Sequence, residues 1–260
     1  MPLALITGAS SGIGREFARQ LASRGYDLLL VARRRERLES VAMELAAAHG
    51  VRTEIVAADL ATEPGLLEVE ARIANRIPDL LVNNAGFGSR GTFVGTAIGG
   101  QEEMHRLHVL ATLRLTHAAL TGMVSRGTGA IVNVSSVAGF MAAPGSVSYC
   151  ATKHWMNVFT EGIWMELLEG RSAVKIQALC PGFTVTEFHD RIAFDRGAVP
   201  AALWLKAEFV VSESLRGLEK GTLFVIPDWR YKAIVLAIGL LPRRLARFFS
   251  VRRQRRLMRT

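Results

Sequence analysis

Thr7-Gly8-Ala9-Ser10-Ser11-Gly12-Ile13-Gly14 is the stretch on which the reading of the fold turns. It follows the apolar run Leu3-Ala4-Leu5-Ile6 and leads into a segment of helical period, so its three glycines stand at a strand-to-helix turn. At such a turn the backbone can approach a pyrophosphate, because the amide groups and dipole at a helix N-terminus favour negative charge. Three glycines alone are a weak sign. A tight turn needs them as well, and the spacing here differs from the commoner G-x-G-x-x-G. The strength of the signal comes from its surroundings.

Outward from the loop, short runs rich in Leu, Ile and Val alternate with longer segments of helical period. This pattern predicts strands at 3–7, 27–32, 52–57, 79–82, 129–135, 174–180 and 222–226. Helices are expected at 12–24, 34–49, 64–76, 101–126, 148–169 and 212–220. Strands buried on both faces and separated by helices make an α/β protein, with a doubly wound parallel sheet in three layers. A length of 260 residues, 50% of them hydrophobic, suits a single domain with one large sheet. The stretch 183–210 breaks the rhythm with Phe188, Phe194, Trp204, Leu205 and Phe209 among polar residues. Lying after the sixth strand, it is expected to be a substrate-covering insertion within a nucleotide-binding domain over 1–228.

The net charge of +9 points to nucleic acid only until it is located. From Trp229 to Thr260 there are ten basic residues and no acidic one, and subtracting ten from +9 leaves the remainder at −1. The basic character therefore belongs to a tail over 229–260, and with few interleaved aromatics no nucleic-acid partner is expected. Within it, Tyr231 to Leu241 reads YKAIVLAIGLL, too short to span a bilayer, and is followed by Pro242 and the arginine-rich run. Such a segment fits peripheral contact with an anionic membrane, or packing on the parent domain or a neighbouring subunit with the arginines in water. Cys150 and Cys180 are too few for a disulfide framework or a cysteine-ligated zinc site, which suggests a reducing, cytoplasmic setting. The apolar residues near Met1 lack a basic leader and read as a first strand. His105 and His108 share a helical face without a completing ligand pair, so no metal site is expected.

Further motifs follow in order: Asn83-Asn84-Ala85-Gly86 after the fourth strand, Ser136 ending the fifth, Tyr149-Cys150-Ala151-Thr152-Lys153, and Pro181-Gly182 after the sixth. With the opening loop they resemble the short-chain dehydrogenase/reductase family, from Leu3 to about Pro227. The resemblance implies a Rossmann-type fold and a homodimer or homotetramer built on the helices carrying His108 and Tyr149. It also implies a nucleotide held by Gly8, Ser10, Ser11, Gly12, Ile13 and Gly14, with Asn84, Ala85 and Gly86 beside it. Asp59 and Leu60 would meet the adenine, although Asp59 also suits a cap at its strand end. Pro181, Gly182, Thr184 and Thr186 would contact the nicotinamide end, together with Tyr149 and Lys153.

Coenzyme choice depends on the end of the second strand, where NAD-specific relatives carry an acid for the ribose hydroxyls. Ala32 stands there in this chain, Arg33, Arg34 and Arg35 follow, and Arg15 comes just after the glycine loop. Arginines at a helix start oppose the dipole and call for another reason, such as a ribose phosphate. Arg15 and Arg33 are thus expected cofactor contacts, and the expected cofactor is NADP(H).

Tyr149 and Lys153, four apart on a helix, present both side chains to one small site. A phenol near its ordinary value of about 10 is a poor proton donor and base at neutral pH, so a cation must stabilise the phenolate, and Lys153 supplies it. By the resemblance Tyr149 exchanges the proton, while Ser136, with Ser135 as the alternative, holds the substrate oxygen. The family also has an asparagine whose main chain holds a water in a proton relay to the lysine; here His108 takes its place. Its backbone carbonyl can preserve the relay, its imidazole can carry the proton, or the ring can simply pack between helices. The expected function is NADP(H)-dependent interconversion of carbonyl and alcohol on a lipophilic substrate of lipid metabolism, whether 3-oxoacyl, steroid-like or retinoid-like. The rival is a catalytically idle NADP-binding redox sensor or membrane-associated scaffold.

Overall fold

The computed structural model describes residues 1–188 and 195–242, together with Arg244 and Val251. Seven parallel strands form the central sheet: β1 (Leu3–Thr7), β2 (Asp27–Ala32), β3 (Thr53–Ala57), β4 (Leu80–Asn83), β5 (Ala130–Val134), β6 (Lys175–Leu179) and β9 (Phe224–Val225). Their order across the sheet is β3-β2-β1-β4-β5-β6-β9, so the chain reverses its direction of travel between β1 and β4. In register, Leu5 lies between Leu29 on β2 and Leu81 on β4. Alternate residues of β1 enter opposite cores, which is why the strand reads as continuously apolar. Ala4 and Ile6 pack with Phe17, Leu21, Leu38 and Leu215, whereas Leu3 and Leu5 pack with Val69, Ile73, Leu115 and Met123.

The covering layers come from α1 (Gly12–Ala22), α2 (Arg35–His49), α3 (Glu63–Asn75), α4 (Ile98–His105), α5 (Thr112–Arg126), α6 (Val147–Glu169) and α7 (Ala207–Glu219). The expected single helix over 101–126 is interrupted. Between α4 and α5, Arg106–Ala111 forms a π-helical turn that places His108 and Ala111 in the interior. A wider turn of this kind changes hydrogen-bond partners without altering composition, so no residue pattern announces it. The helix expected from 212 begins at Ala207, using the last residues of the predicted insertion.

Within that insertion, β7 (Thr184–Val185) pairs in parallel with β8 (Leu205–Lys206), apart from the main sheet. The rings of Phe183 and Trp204 lie 5.4 Å apart beside this pair. Phe194 falls outside the described residues. The tail opens with a helix, α8 (Trp229–Leu240), capped by the Asp228 carboxylate, which accepts from the Arg230 amide at 2.7 Å. Its Tyr231 is buried in the same core as Phe17 and Leu215, so this part of the tail packs on the parent domain.

Candidate active site

The strand ends that shape the site are tied together by Thr7. Its hydroxyl accepts from the amides of Asn84 and Ala85, each at 2.9 Å, and donates to the Val82 carbonyl at 3.3 Å. The Asn84 side chain returns a bond to the Thr7 carbonyl at 2.8 Å. Thr7 did not stand out as a site residue in the sequence, yet it joins the glycine loop to the Asn84-Ala85-Gly86 segment. Gly14 lies so close beneath the loop that a Cβ would stand 2.4 Å from the Gly8 carbonyl oxygen. Ser11 makes no side-chain bond to the first turn of α1. That helix end therefore keeps its character as an anion site.

A cavity of about 1720 Å³ runs along this edge of the sheet. Of the predicted residues, it is lined by Gly8, Ser10, Ser11, Gly12, Ile13, Arg33, Asp59, Leu60, Asn84, Ala85, Gly86, Ser136, Tyr149, Lys153, Pro181, Gly182, Thr184 and Thr186. Apolar side chains of Phe183, Phe188, Leu203, Ile234, Ile238 and Leu241 also line it. Three predicted residues stand off the wall. Gly14 supports the loop from behind, His108 lies in the interior, and Arg15 pairs with Glu44 on α2 at 2.6 Å. Arg34 takes the place expected of Arg15, donating to the hydroxyls of Ser10 and Ser11 at 3.2 Å each. Arg33 meets Glu103 at 3.0 Å and Asp59 at 3.8 Å. Asp59 lines the cavity and also orders its turn, accepting from the Ala61 amide at 3.0 Å.

On the cavity wall, the Lys153 ammonium donates to the Val134 carbonyl at 2.7 Å and lies 5.9 Å from the centre of the Tyr149 ring. Burial lowers the Lys153 value to about 8, so the amine is still mostly charged at neutral pH. Burial pushes the Tyr149 phenol up to about 12, against a hydrogen bond with Ser136 that pulls it down. The Ser136 oxygen also accepts from the Ala138 amide at 3.1 Å. Ser135, the alternative, donates its hydroxyl to the Lys153 carbonyl at 3.1 Å and so serves to hold the lysine's turn.

His108 has both ring nitrogens engaged. Nε2 accepts from the Phe87 amide at 3.1 Å, and Nδ1 lies 3.0 Å from the Thr152 hydroxyl oxygen. That hydroxyl spends its proton on the Tyr149 carbonyl at 3.0 Å, so Nδ1 carries the hydrogen and the ring is neutral. Burial first, then the charge on Lys153, holds the imidazole well below the ordinary histidine range. Its edge faces the Tyr149 ring, centroids 6.0 Å apart at 72°. Among the described residues no three His, Cys, Asp or Glu side chains gather as a metal-binding group, and no helix is long and apolar enough to cross a membrane.

The short chain dehydrogenase family model matches residues 2–196, three quarters of the chain and every motif quoted above. This chain belongs to the short-chain dehydrogenase family. It is accordingly an oxidoreductase acting on alcohol and carbonyl groups. A solved short-chain dehydrogenase from Sphingobium yanoikuyae in complex with NADPH superposes with a TM-score of 0.84 at 35% identity, covering 94% of this chain and 97% of that one. A 3-oxoacyl-[acyl-carrier-protein] reductase of Aquifex aeolicus is 34% identical over 187 residues, 71% of this chain and 75% of the relative. A very-long-chain 3-oxoacyl-CoA reductase of Mycosarcoma maydis is 31% identical over 237 residues, 89% of this chain and 67% of the relative.

Proposed function

We propose that this short-chain dehydrogenase uses NADP(H) to interconvert a carbonyl and an alcohol on a lipophilic substrate, with Tyr149, Lys153 and Ser136 as its catalytic residues. The observation that carries the reading is one cavity lined both by the Arg34–Ser10–Ser11 cluster and by the Ser136–Tyr149–Lys153 group. The residues fit the cofactor. Gly8 and Gly14 of the loop are packed too tightly to carry side chains, its helix end suits a pyrophosphate, and guanidinium donors suit a 2′-phosphate. The NADPH bound in the Sphingobium relative supports the same choice.

When bound, NADP(H) supplies the hydride in reduction and receives it in oxidation. Tyr149 gives its phenol proton to the substrate oxygen as negative charge grows there, and removes that proton in the reverse direction. Ser136 donates to the same oxygen. Lys153 keeps a positive charge beside the phenol and so lowers the energy of the phenolate. His108 enters as a positioning residue, since a neutral ring with both nitrogens committed holds the Phe87 amide and the Thr152 hydroxyl and is poorly suited to carry a proton.

The apolar lining favours long or bulky carbonyls over small polar ones. Long 3-oxoacyl thioesters are the first substrates to try, ahead of steroid-like and retinoid-like ketones, because both curated relatives act on 3-oxoacyl groups by name. Leu110, Leu113, Val158, Met165 and Leu168 are exposed on the turn before α5, on α5 itself and on α6, and this apolar surface supports a homo-oligomer built there. On α8, Trp229, Leu236 and Leu240 are exposed beside the basic tail, which supports peripheral contact with an anionic membrane. The test is NADPH and NADH consumption by the purified protein across the three substrate classes. Turnover with NADPH on at least one class is expected; tight NADPH binding with no turnover on any class would move the assignment to a redox sensor or scaffold.

A further inference from the structure

The segment after β7 crosses the glycine loop. Thr186 lies against it, its Cγ2 at 3.1 Å from where a Cβ on Gly12 would stand. The next residue, Glu187, lines the cavity and reaches over to the arginines at the start of α2. Its carboxylate accepts from Arg37 Nη1 at 2.7 and 2.9 Å and from Arg34 Nη1 at 3.3 Å. Arg34 uses its other terminal nitrogen on Ser10 and Ser11. One carboxylate thus engages Arg34, whose guanidinium lines the cavity and touches the loop serines, together with Arg37 next to it.

A 2′-phosphate and a carboxylate ask for the same donors in the same fork geometry. The arginines hold the Glu187 carboxyl below the usual carboxylate range, so it remains an anion wherever the phosphate does. Both partners are substantially exposed, with 46% of the Glu187 side chain and 33% of the Arg34 side chain accessible, so the pair is weak enough for a ligand to displace.

We propose that Glu187 is a coenzyme-specificity residue, an internal anion that competes with the 2′-phosphate for Arg34 and so sets how far a 2′-phosphorylated nucleotide is preferred. The inference rests on the NADP(H) reading above. Its neighbour Phe188 lies against Tyr149, ring centroids 5.9 Å apart, so the segment that presents Glu187 to the adenosine end also touches the catalytic tyrosine.

The experiment is calorimetric binding of 2′,5′-ADP and of 5′-AMP to the full chain and to Glu187→Gln, with no turnover involved. The variant should bind 2′,5′-ADP about two- to fivefold more tightly, the range open to an exposed ion pair, while 5′-AMP affinity stays the same. Unchanged or weaker 2′,5′-ADP binding, or an equal gain for both nucleotides, would overturn the competition. If the wild-type chain itself shows no preference for 2′,5′-ADP over 5′-AMP, the NADP(H) reading falls and takes this one with it. A wild-type preference that ignores the substitution removes Glu187 alone.

Discussion

At the glycine-loop end of the cavity, the Thr7 hydroxyl and the Asn84 side chain bond main-chain atoms across the ends of β1 and β4, and Gly14 of α1 packs on Gly8, so residues at adjoining strand ends of the parallel sheet set the geometry. At the substrate end the walls come from side chains on elements outside the sheet. Tyr231 of α8 packs its ring onto Gly182, where a Cβ would stand 2.0 Å from the ring, and its hydroxyl joins the Phe183 amide at 3.0 Å to the Leu203 carbonyl at 2.7 Å. One end is therefore placed by adjoining strands of the sheet, and the other by a few side chains that clamp separate segments. The first kind of site leaves a motif in the sequence, and the second leaves almost none.

Gly14→Ala should break the first end most severely. Its methyl meets the Gly8 carbonyl, and overpacking of this kind costs about 1–3 kcal/mol. If that loss falls on binding, it weakens NADPH affinity by about five- to a hundredfold, with thermal stability falling as well. Fluorescence titration with NADPH checks this.

His108→Ala addresses the join between the two ends. It strands the Phe87 amide and the Thr152 hydroxyl, for an expected loss of about 1–3 kcal/mol in denaturant unfolding. The pH dependence gives a sharper test. Because the folded value lies below the unfolded one, the unfolded chain binds more protons, and stability falls as pH drops below about 6.5. The wild type should lose that stability between neutral and mildly acidic pH, and the variant should lose less of it.

Tyr231→Phe gives the smallest effect, about 0.5–1.5 kcal/mol, and it should fall on one side of the comparison. The KM for a long carbonyl should rise while the Kd for NADPH stays unchanged. A matching change in both would mean that the two ends are not held independently.

The positions of the strands along the chain, the glycine loop, Asn84-Ala85-Gly86 and the Ser136–Tyr149–Lys153 group were legible because each is written in residue types along the chain. Arg34 and Arg15 show the limit. One follows the loop and the other the second strand, and the direction of each side chain is decided by distant partners, Glu187 for Arg34 and Glu44 for Arg15. His108 was noticed because it departed from a family pattern, but its role depends on a π-helical turn that no spacing reveals. The docking of α8 was open between a membrane, a neighbouring subunit and the parent domain, since an apolar run states that it will be buried without stating against what.

The central claim is that Tyr149 exchanges the proton in a cavity whose nucleotide end is formed independently of it. Steady-state turnover and NADPH affinity measured side by side on Tyr149→Phe test this most directly. The expected result is a fall in kcat of about 10²–10⁴-fold with NADPH affinity within a factor of about two. Turnover close to wild type would contradict the account, and so would loss of NADPH binding along with activity.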